Sequence, residues 1–447
     1  MVISTRDSEP DQVDALRRIS ALAQEDAERK FYSIAHLLTP GALYEAFSRL
    51  RKNASAGVDK VTYQDYQKQA LANIQGLHDR LKTGTYEPQP LRRIYVEKED
   101  GRLRPISIPC LEDKIVQKAA VKLLNAIYET DFLPCSYGSR TGRNPHHALD
   151  EVDRIVFRRP ISWILEIDIS AYFDSIVRKQ LMEMIERRVS DSSMLELLRK
   201  WIHVGAIDEG RLLESTTGTG QGQVVSPFLA NVYLHHILDR WFEDEVKPRL
   251  KGEAYEVRYV DDAVFCFESH EDAQKFLTVL HKRFEKFGLT LHPTKTRLVE
   301  FGRSALAKAE KMQTQPETFD FLGYTHIAAR SRRGKFTVKV KTMSKRLRRG
   351  LKAVAEWCKE NRHRPVSEQQ DTLNAMLRGH YQYFGRTSNY RALRQFYDAV
   401  KGTWKKWLCR RTRGTSHTWE KYLLLLKRYP LALPRVVHSR VGVGSSK

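Results

Sequence analysis

The sequence predicts a mixed α+β chain, and three observations carry that expectation. Short apolar runs bounded by turn residues recur through its middle, at residues 91–96, 103–109, 162–169 and 257–267. Between the first two stands Lys98-Glu-Asp-Gly-Arg102, whose Asp-Gly pair is a signal for a tight antiparallel hairpin. Around these runs lie longer Ala/Leu-rich and charged stretches with helical periodicity.

The elements follow in order. Residues 1–85 read as mostly helical, with a charged helix over 12–35 and a turn at Ser55-Ala-Gly-Val-Asp59. Helices are expected over 112–130, near Tyr172, and over 178–189, 227–242 and 271–287. The run 257–267 reads as a hairpin with Asp261 and Asp262 near its tip. Short strands are expected at 319–324 and 335–340. From Ser344 onward the pattern is helical, with breaks near Pro365, Gly379 and Pro430 and a loose tail over 436–447.

Composition narrows the class. The chain has 447 residues, 41% of them hydrophobic, enough for two or three domains. No apolar run approaches the ~20 residues of a spanning helix, and the polar, acidic start MVISTRDSEPDQVD lacks the pattern of a secretory signal. No membrane partner is expected. Five scattered cysteines argue against a disulfide framework or a cysteine-based zinc site, and a cytoplasmic location is expected.

The net charge of +22 is unevenly placed. Residues 331–447 hold 29 Lys/Arg against 6 Asp/Glu, whereas the preceding 330 residues carry 47 against 48. A concentrated basic region predicts a polyanion partner. Aromatics such as Tyr381, Tyr390, Tyr397, Trp404, Trp407 and Trp419 are interleaved with the charges, which suits RNA, although helical spacing assigns several of them to a core.

Acidic residues interrupt two apolar runs, at Glu166 and Asp168 in Ile164-Leu-Glu-Ile-Asp168-Ile169 and at the pair Asp261-Asp262 in Arg258-Tyr-Val-Asp261-Asp262-Ala-Val-Phe. Unpaired charge in a core is very costly, so a cation partner is the expected resolution. Carboxylates gathered from two strands hold divalent metals well. The competing reading is that Asp261 and Asp262 are ordinary turn acids.

Five motifs in order resemble those of group II intron-encoded reverse transcriptases. Asp168-Ile-Ser-Ala-Tyr-Phe-Asp174 resembles motif A, and Thr219-Gly-Gln-Gly-Gln-Val-Val-Ser-Pro227 the family's Thr-Pro-Gln-Gly-Gly-Val-Ile-Ser-Pro segment. Tyr259-Val-Asp-Asp262 resembles the catalytic box, Pro293-Thr-Lys295-Thr motif D, and Phe321-Leu-Gly-Tyr324 the strand before the thumb. The resemblance implies an α+β right-hand polymerase. Residues 1–85 would form a helical N-terminal extension, 86–325 the fingers and palm, 326–435 a basic helical thumb and maturase region, and 436–447 a flexible tail.

Roles follow as implications of that resemblance. Asp168, Asp261 and Asp262 would be the catalytic carboxylates and, with Ile169, hold two Mg²⁺ ions, for which Mn²⁺ is a possible substitute. Lys98, Arg104, Gln221 and Lys295 would meet the incoming dNTP, and Phe173 would exclude a ribose 2′-OH. Without the resemblance, Phe173 reads as a core aromatic and Lys295 as a solvated loop lysine. Arg346, Arg348, Arg349, Arg378, Lys405, Lys406, Arg410 and Arg411 would bind RNA. The implied partners are an RNA template with its DNA primer, and a structured intron or other noncoding RNA.

This chain departs from the family pattern at three positions and in one absence. Gly220 stands where the family has Pro, which predicts a more mobile loop. Gln223 replaces Gly, placing a side chain near template and nucleotide, and Val260 replaces Ala beside the primer terminus. No Cys/His-rich nuclease is expected after Pro434. The leading expectation is an RNA-directed DNA polymerase with maturase activity. The alternatives are a domesticated relative serving phage defence or DNA repair, an RNA-binding splicing cofactor without polymerase activity, and an RNA-dependent RNA polymerase.

Overall fold

The computed structural model describes residues 9–97, 101, 103–208, 211–213, 217–411 and 418–438. The strands are β1 (Leu91–Glu97), β2 (Leu103–Ile108), β3 (Trp163–Ile167), β4 (Ala206–Asp208), β5 (Arg211–Leu213), β6 (Ala254–Tyr259), β7 (Asp262–Phe267), β8 (Arg297–Glu300), β9 (Thr318–Phe321), β10 (Tyr324–Arg330) and β11 (Phe336–Thr342). The chain divides into two compact units. One gathers residues 1–148, 167–265 and 270–297; the other gathers 149–166, 266–269 and 298–447. No described helix is long and apolar enough to cross a membrane.

In the first unit, the helix expected over 12–35 stops at Glu25. The chain then extends so that Phe31 pairs with Val189: Phe31 N donates to Arg188 O at 2.8 Å and Ser190 N to Phe31 O at 2.9 Å. Long-range pairing overrides local helix propensity here. The Asp191 carboxylate collects Ile34 N (2.6 Å), Ala35 N (2.8 Å) and Met194 N (3.0 Å), so one side chain caps two helical starts.

Leu111–Asp131 is the central helix of this unit. It buries Ile115, Val116, Ala119, Ala120, Leu123, Leu124, Ile127 and Tyr128, almost its full circumference, as a helix packed on several sides must. One four-stranded sheet has strand order β2-β1-β4-β5. β1 and β2 are antiparallel with Val96 opposite Arg104, while β1 and β4 are parallel from Leu91 opposite Ala206. β6 and β7 are neighbours joined through Val260 and Asp261. The helix expected over 227–242 begins at Ser226 as an α-helix to Leu234 and winds on through wider π turns at 235–239 and 242–246.

In the second unit, the strand expected at 319–324 is two strands. Leu322 and Gly323, at φ 48° and 79°, turn the chain between β9 and β10, which run antiparallel with β11 beyond. The helices that follow are Ser344–Glu360, Val366–Phe384, Tyr390–Leu408 and Trp419–Arg428. Leu347, Val354, Leu373, Leu377, Tyr381, Phe396, Val400, Trp404 and Tyr422 form their common core. The expected break at Gly379 is absent. Leu373, Leu377 and Tyr381 continue one buried face across it, and that packing outweighs the ~1 kcal/mol a helical glycine costs. The chain breaks instead at Gly385.

Candidate active site

The site is built from main-chain ties that bring remote segments together in the first unit. Asp168 follows the end of β3. Its carbonyl accepts from His292 N at 2.7 Å, Ser170 N donates to Thr290 O at 2.8 Å, and Ile169 forms an antiparallel bridge with Leu291. These bonds place Lys295 beside the acid, its Nζ 3.0 Å from Asp168 Oδ2. Lys295, for which the resemblance implies a contact to the incoming nucleotide and which otherwise reads as a solvated loop lysine, is an ion-pair partner of the motif A aspartate.

Asp261 occupies the turn between β6 and β7, with Asp262 opening β7. Burial pushes the Asp261 carboxyl above its ordinary pKa, and the Asp168 charge pushes the same way, while its own backbone, Arg104 and Lys295 pull it down. Asp168, Asp261, Arg104 and Lys295 therefore share one electrostatic neighbourhood. The Asp261 carboxyl, raised by burial and by the neighbouring Asp168 charge and offering oxygen donors, suits a hard divalent cation.

Val260, before Asp261, has φ 59°, unusual for a β-branched residue. Gly138 lies against it: a Cβ there would meet Val260 N at 2.5 Å.

Phe173 sits in the short helix Tyr172–Ser175. Tyr172 is the buried member of the pair, its hydroxyl donating to Ala230 O at 2.6 Å. Phe173 is only half-buried, and its carbonyl accepts from Thr219 N at 2.8 Å. The core role thus falls to the neighbour. Gln221 is half-buried, and its carbonyl accepts from Ser107 N at 2.7 Å, tying the loop to β2. Arg104 is exposed on β2. Lys98 lies outside the described residues.

Gln223 corrects the expectation that it faces template and nucleotide. It is buried: its Oε1 accepts from Gln117 Nε2 at 2.8 Å and its Nε2 donates to Trp201 O at 3.0 Å. Gln117 Oε1 in turn accepts from Val224 N at 2.9 Å. Gly220 is the counterpart of that inward turn. A Cβ on it would lie 2.9 Å from Gln223 Nε2 and 2.6 Å from Leu91 Cδ1. The two departures are one packing solution, and the loop that lacks proline is held by buried amides.

Sequence reasoning passed over Arg258, Asn231, Asp239 and Gln117. The available signal was Arg258 itself, a fully buried charge in the run before the box. Cys135, Asp239 and Glu256 have ligand-type atoms within 4.8 Å of one another. Arg258 donates to both Asp239 oxygens, at 2.7 and 2.6 Å, so this cluster is a buried ion pair rather than a cation site.

In the second unit, Arg348, Arg349, Arg378, Lys406 and Arg410 are exposed, and Arg346, Lys405 and Arg411 are half-buried. Of the interleaved aromatics, Tyr381, Phe396, Tyr397 and Trp404 are core, while Tyr390 and Trp419 are exposed. Lys405 Nζ stands 4.7 Å from the Trp419 ring centre, and the Arg410 guanidinium 5.0 Å from that of Trp407.

Acids at a strand end and in a hairpin turn, flanked by cations, are an arrangement able to hold divalent metal and phosphate. Residues 96–326 match the family model described as reverse transcriptase (RNA-dependent DNA polymerase). Protein YkfC of Escherichia coli K12 is 32% identical over 72% of this chain and 90% of its own length. The group II intron-encoded protein LtrA of Lactococcus lactis is 30% identical over 60% of this chain, which spans about half, 46%, of that relative. A 91 kDa protein in the cob intron of Schizosaccharomyces pombe is 34% identical over 46% of this chain and 25% of its own length. The chain belongs to the reverse transcriptase family, as an RNA-directed DNA polymerase of the group II intron type.

Proposed function

We propose that this protein adds dNTPs to the 3′-OH of a DNA primer on an RNA template in the cytoplasm, and that it grips structured intron RNA as a maturase. The observation that carries the reading is the Asp168–Asp261 neighbourhood with Lys295 at 3.0 Å and Arg104 close by.

Asp168 and Asp261, with Asp262 and the Ile169 main chain beside them, would hold two Mg²⁺ ions. When bound, such ions lower the pKa of an attacking hydroxyl and offset charge on the phosphate oxygens. Asp261 would serve as a carboxylate, and Arg104 and Lys295 favour its charged form. Arg104 and Lys98 attract the triphosphate, and their positive charge offsets what develops as pyrophosphate departs. Lys295, held at Asp168, supplies a second cation beside the acids. Phe173, freed from the core by Tyr172, closes the space a ribose 2′-OH would need. Gln221 is presented by a loop whose backbone is bonded to β2. Arg346, Arg348, Arg349, Arg378, Lys405, Lys406, Arg410 and Arg411 bind RNA phosphates, with exposed Trp419 and Tyr390 available for base stacking. The division into extension (1–85), fingers and palm (86–325) and thumb (326–435) is proposed on the same ground.

The test is primer extension on an RNA template with a DNA primer, dNTPs and Mg²⁺, comparing wild type with Asp261→Ala/Asp262→Ala. Wild-type extension abolished in the double variant is the expected result. An inert wild type that still binds RNA tightly would overturn the polymerase reading in favour of a splicing cofactor.

A further inference from the structure

Among the described residues of the first unit, Arg258 is the largest charged side chain that is fully buried, and all five of its guanidinium N–H groups have a partner. Nε donates to Asp239 Oδ1 at 2.7 Å and Nη2 to Asp239 Oδ2 at 2.6 Å. Nη2 also donates to Ser136 Oγ at 2.9 Å, and Nη1 to Asn231 Oδ1 at 3.1 Å. The remaining bond, from Nη1, is to the carbonyl of Val260 at 2.8 Å. The main chain of Arg258 is pinned as well: its N donates to Cys135 O and its O accepts from Tyr137 N, both at 2.8 Å. A planar fork so held is a rigid fixture.

What it fixes is the Val260–Asp261 peptide. That group is planar, so holding the Val260 oxygen sets the direction of the Asp261 N and hence of its Cα. Val260 is at φ 59°, a conformation a β-branched residue keeps only where its surroundings over-determine it. Two constraints do so. Arg258 holds the carbonyl side, and Gly138, whose Cβ would strike Val260 N at 2.5 Å, packs on the amide side. Asn231 links the two, since its Nδ2 donates to Gly138 O at 2.6 Å while its Oδ1 accepts from Arg258.

We propose that Arg258 is a positioning residue, which acts through the Val260 carbonyl to hold the left-handed turn that presents Asp261 for metal binding. The inference rests on Asp261 being a metal ligand. Ser136, Asn231 and Asp239 form the seat of the guanidinium.

The test uses the full-length chain as wild type, Arg258→Lys, Val260→Gly and the double variant. Mn²⁺ alone is titrated and its binding read by electron paramagnetic resonance, alongside kcat and KM for dNTP and a thermal melt. Arg258→Lys is expected to weaken Mn²⁺ binding at least about tenfold, as loss of an outer partner of a metal ligand does. It should lower kcat with KM for dNTP nearly unchanged. Glycine adopts φ 59° freely, so in the Val260→Gly background the same substitution should cost less than about threefold. If Arg258→Lys folds poorly, Asn231→Ala loosens the seat more gently and should show a smaller loss, again relieved by Val260→Gly. An equal loss in both backgrounds overturns the inference, as does unchanged Mn²⁺ affinity with only a lower melting temperature. Mn²⁺ binding is read without primer, so a wild type that bound Mn²⁺ yet extended no primer would count against the polymerase reading and leave this one decided.

Discussion

Phe173 and Tyr172 show how adjacent rings divide labour. Tyr172 is 2% exposed and its hydroxyl is spent on Ala230 O, so the core does not need Phe173. Phe173→Ala should therefore change selectivity more than stability. The expected outcome is ribonucleotide incorporation at least about tenfold above wild type, about 1.4 kcal/mol of lost discrimination. Competing dNTP and rNTP extension measures it, and an unchanged ratio would remove Phe173 from the gate. Gly138 is the opposite case, a residue with no chemistry that the site cannot alter. Its missing Cβ makes room for the Val260 amide, so Gly138→Ala should reduce extension sharply while RNA binding by the basic helices persists. The acids were legible in the sequence because charge inside an apolar run demands an explanation. Gly138 was not, because the Val260 amide it packs against lies far along the chain and only the fold brings the two together. Arg258 offered the same kind of signal as the acids, a charge in an apolar run, but its seat at Asp239, Asn231 and Ser136, 19, 27 and 122 residues away, shows only in the fold.

At the level of elements, strand pattern located β1, β2, β6 and β7 well, since period-2 alternation is a local signal, while the expected turn at 98–102 falls mostly outside the described residues. The helices Pro145–Arg158, Ser192–His203 and Arg303–Lys311 went unread, as did the break after Glu25. The first of these opens Pro-His-His and carries three acids, a polar face that masks its apolar stripe. The loop at 218–225 was misread more instructively. Gly220 and Gln223 look like separate losses until Gln117, 106 residues from Gln223, is seen bonded to it. Removing one amide strands the other. Gln223→Ala leaves Gln117 Nε2 and Trp201 O without their partner, and should destabilise by about 1–3 kcal/mol in chemical denaturation. Gly220→Ala drives a Cβ toward Gln223 Nε2 and Leu91, so its penalty should shrink in a Gln223→Gly background, where only Leu91 remains in the way. Additive penalties in that double-mutant cycle would show the two positions to be independent.

Across the whole molecule, charge and buried histidines set the response to solution conditions. The basic excess of residues 331–447 predicts RNA affinity that falls steeply with salt, and reversing Arg348, Arg349 and Arg378, all exposed, should flatten the log–log slope by about one unit per lost phosphate contact. Acid has a different target. Burial lowers His235 and His236 in the first unit to about 4 and about 3, and His380 in the second to about 4. The His380 ring is stacked 3.8 Å from that of Phe396, and its Nε2 is buried without a hydrogen-bond partner, so protonation must first break that packing. In the unfolded chain the same group titrates near 6.5. Between pH 6.5 and about 4 the unfolded state therefore binds more protons than the folded one, and stability must fall as pH falls through that window. His380→Phe keeps the ring and removes the titration. Urea unfolding at pH 7 and pH 5 should show a smaller acid loss in this variant than in wild type, by about 1–2 kcal/mol, with little difference between the two proteins at pH 7. An identical acid loss in both would place the acid sensitivity elsewhere, with the His235–His236 pair beside Phe132 the next to replace.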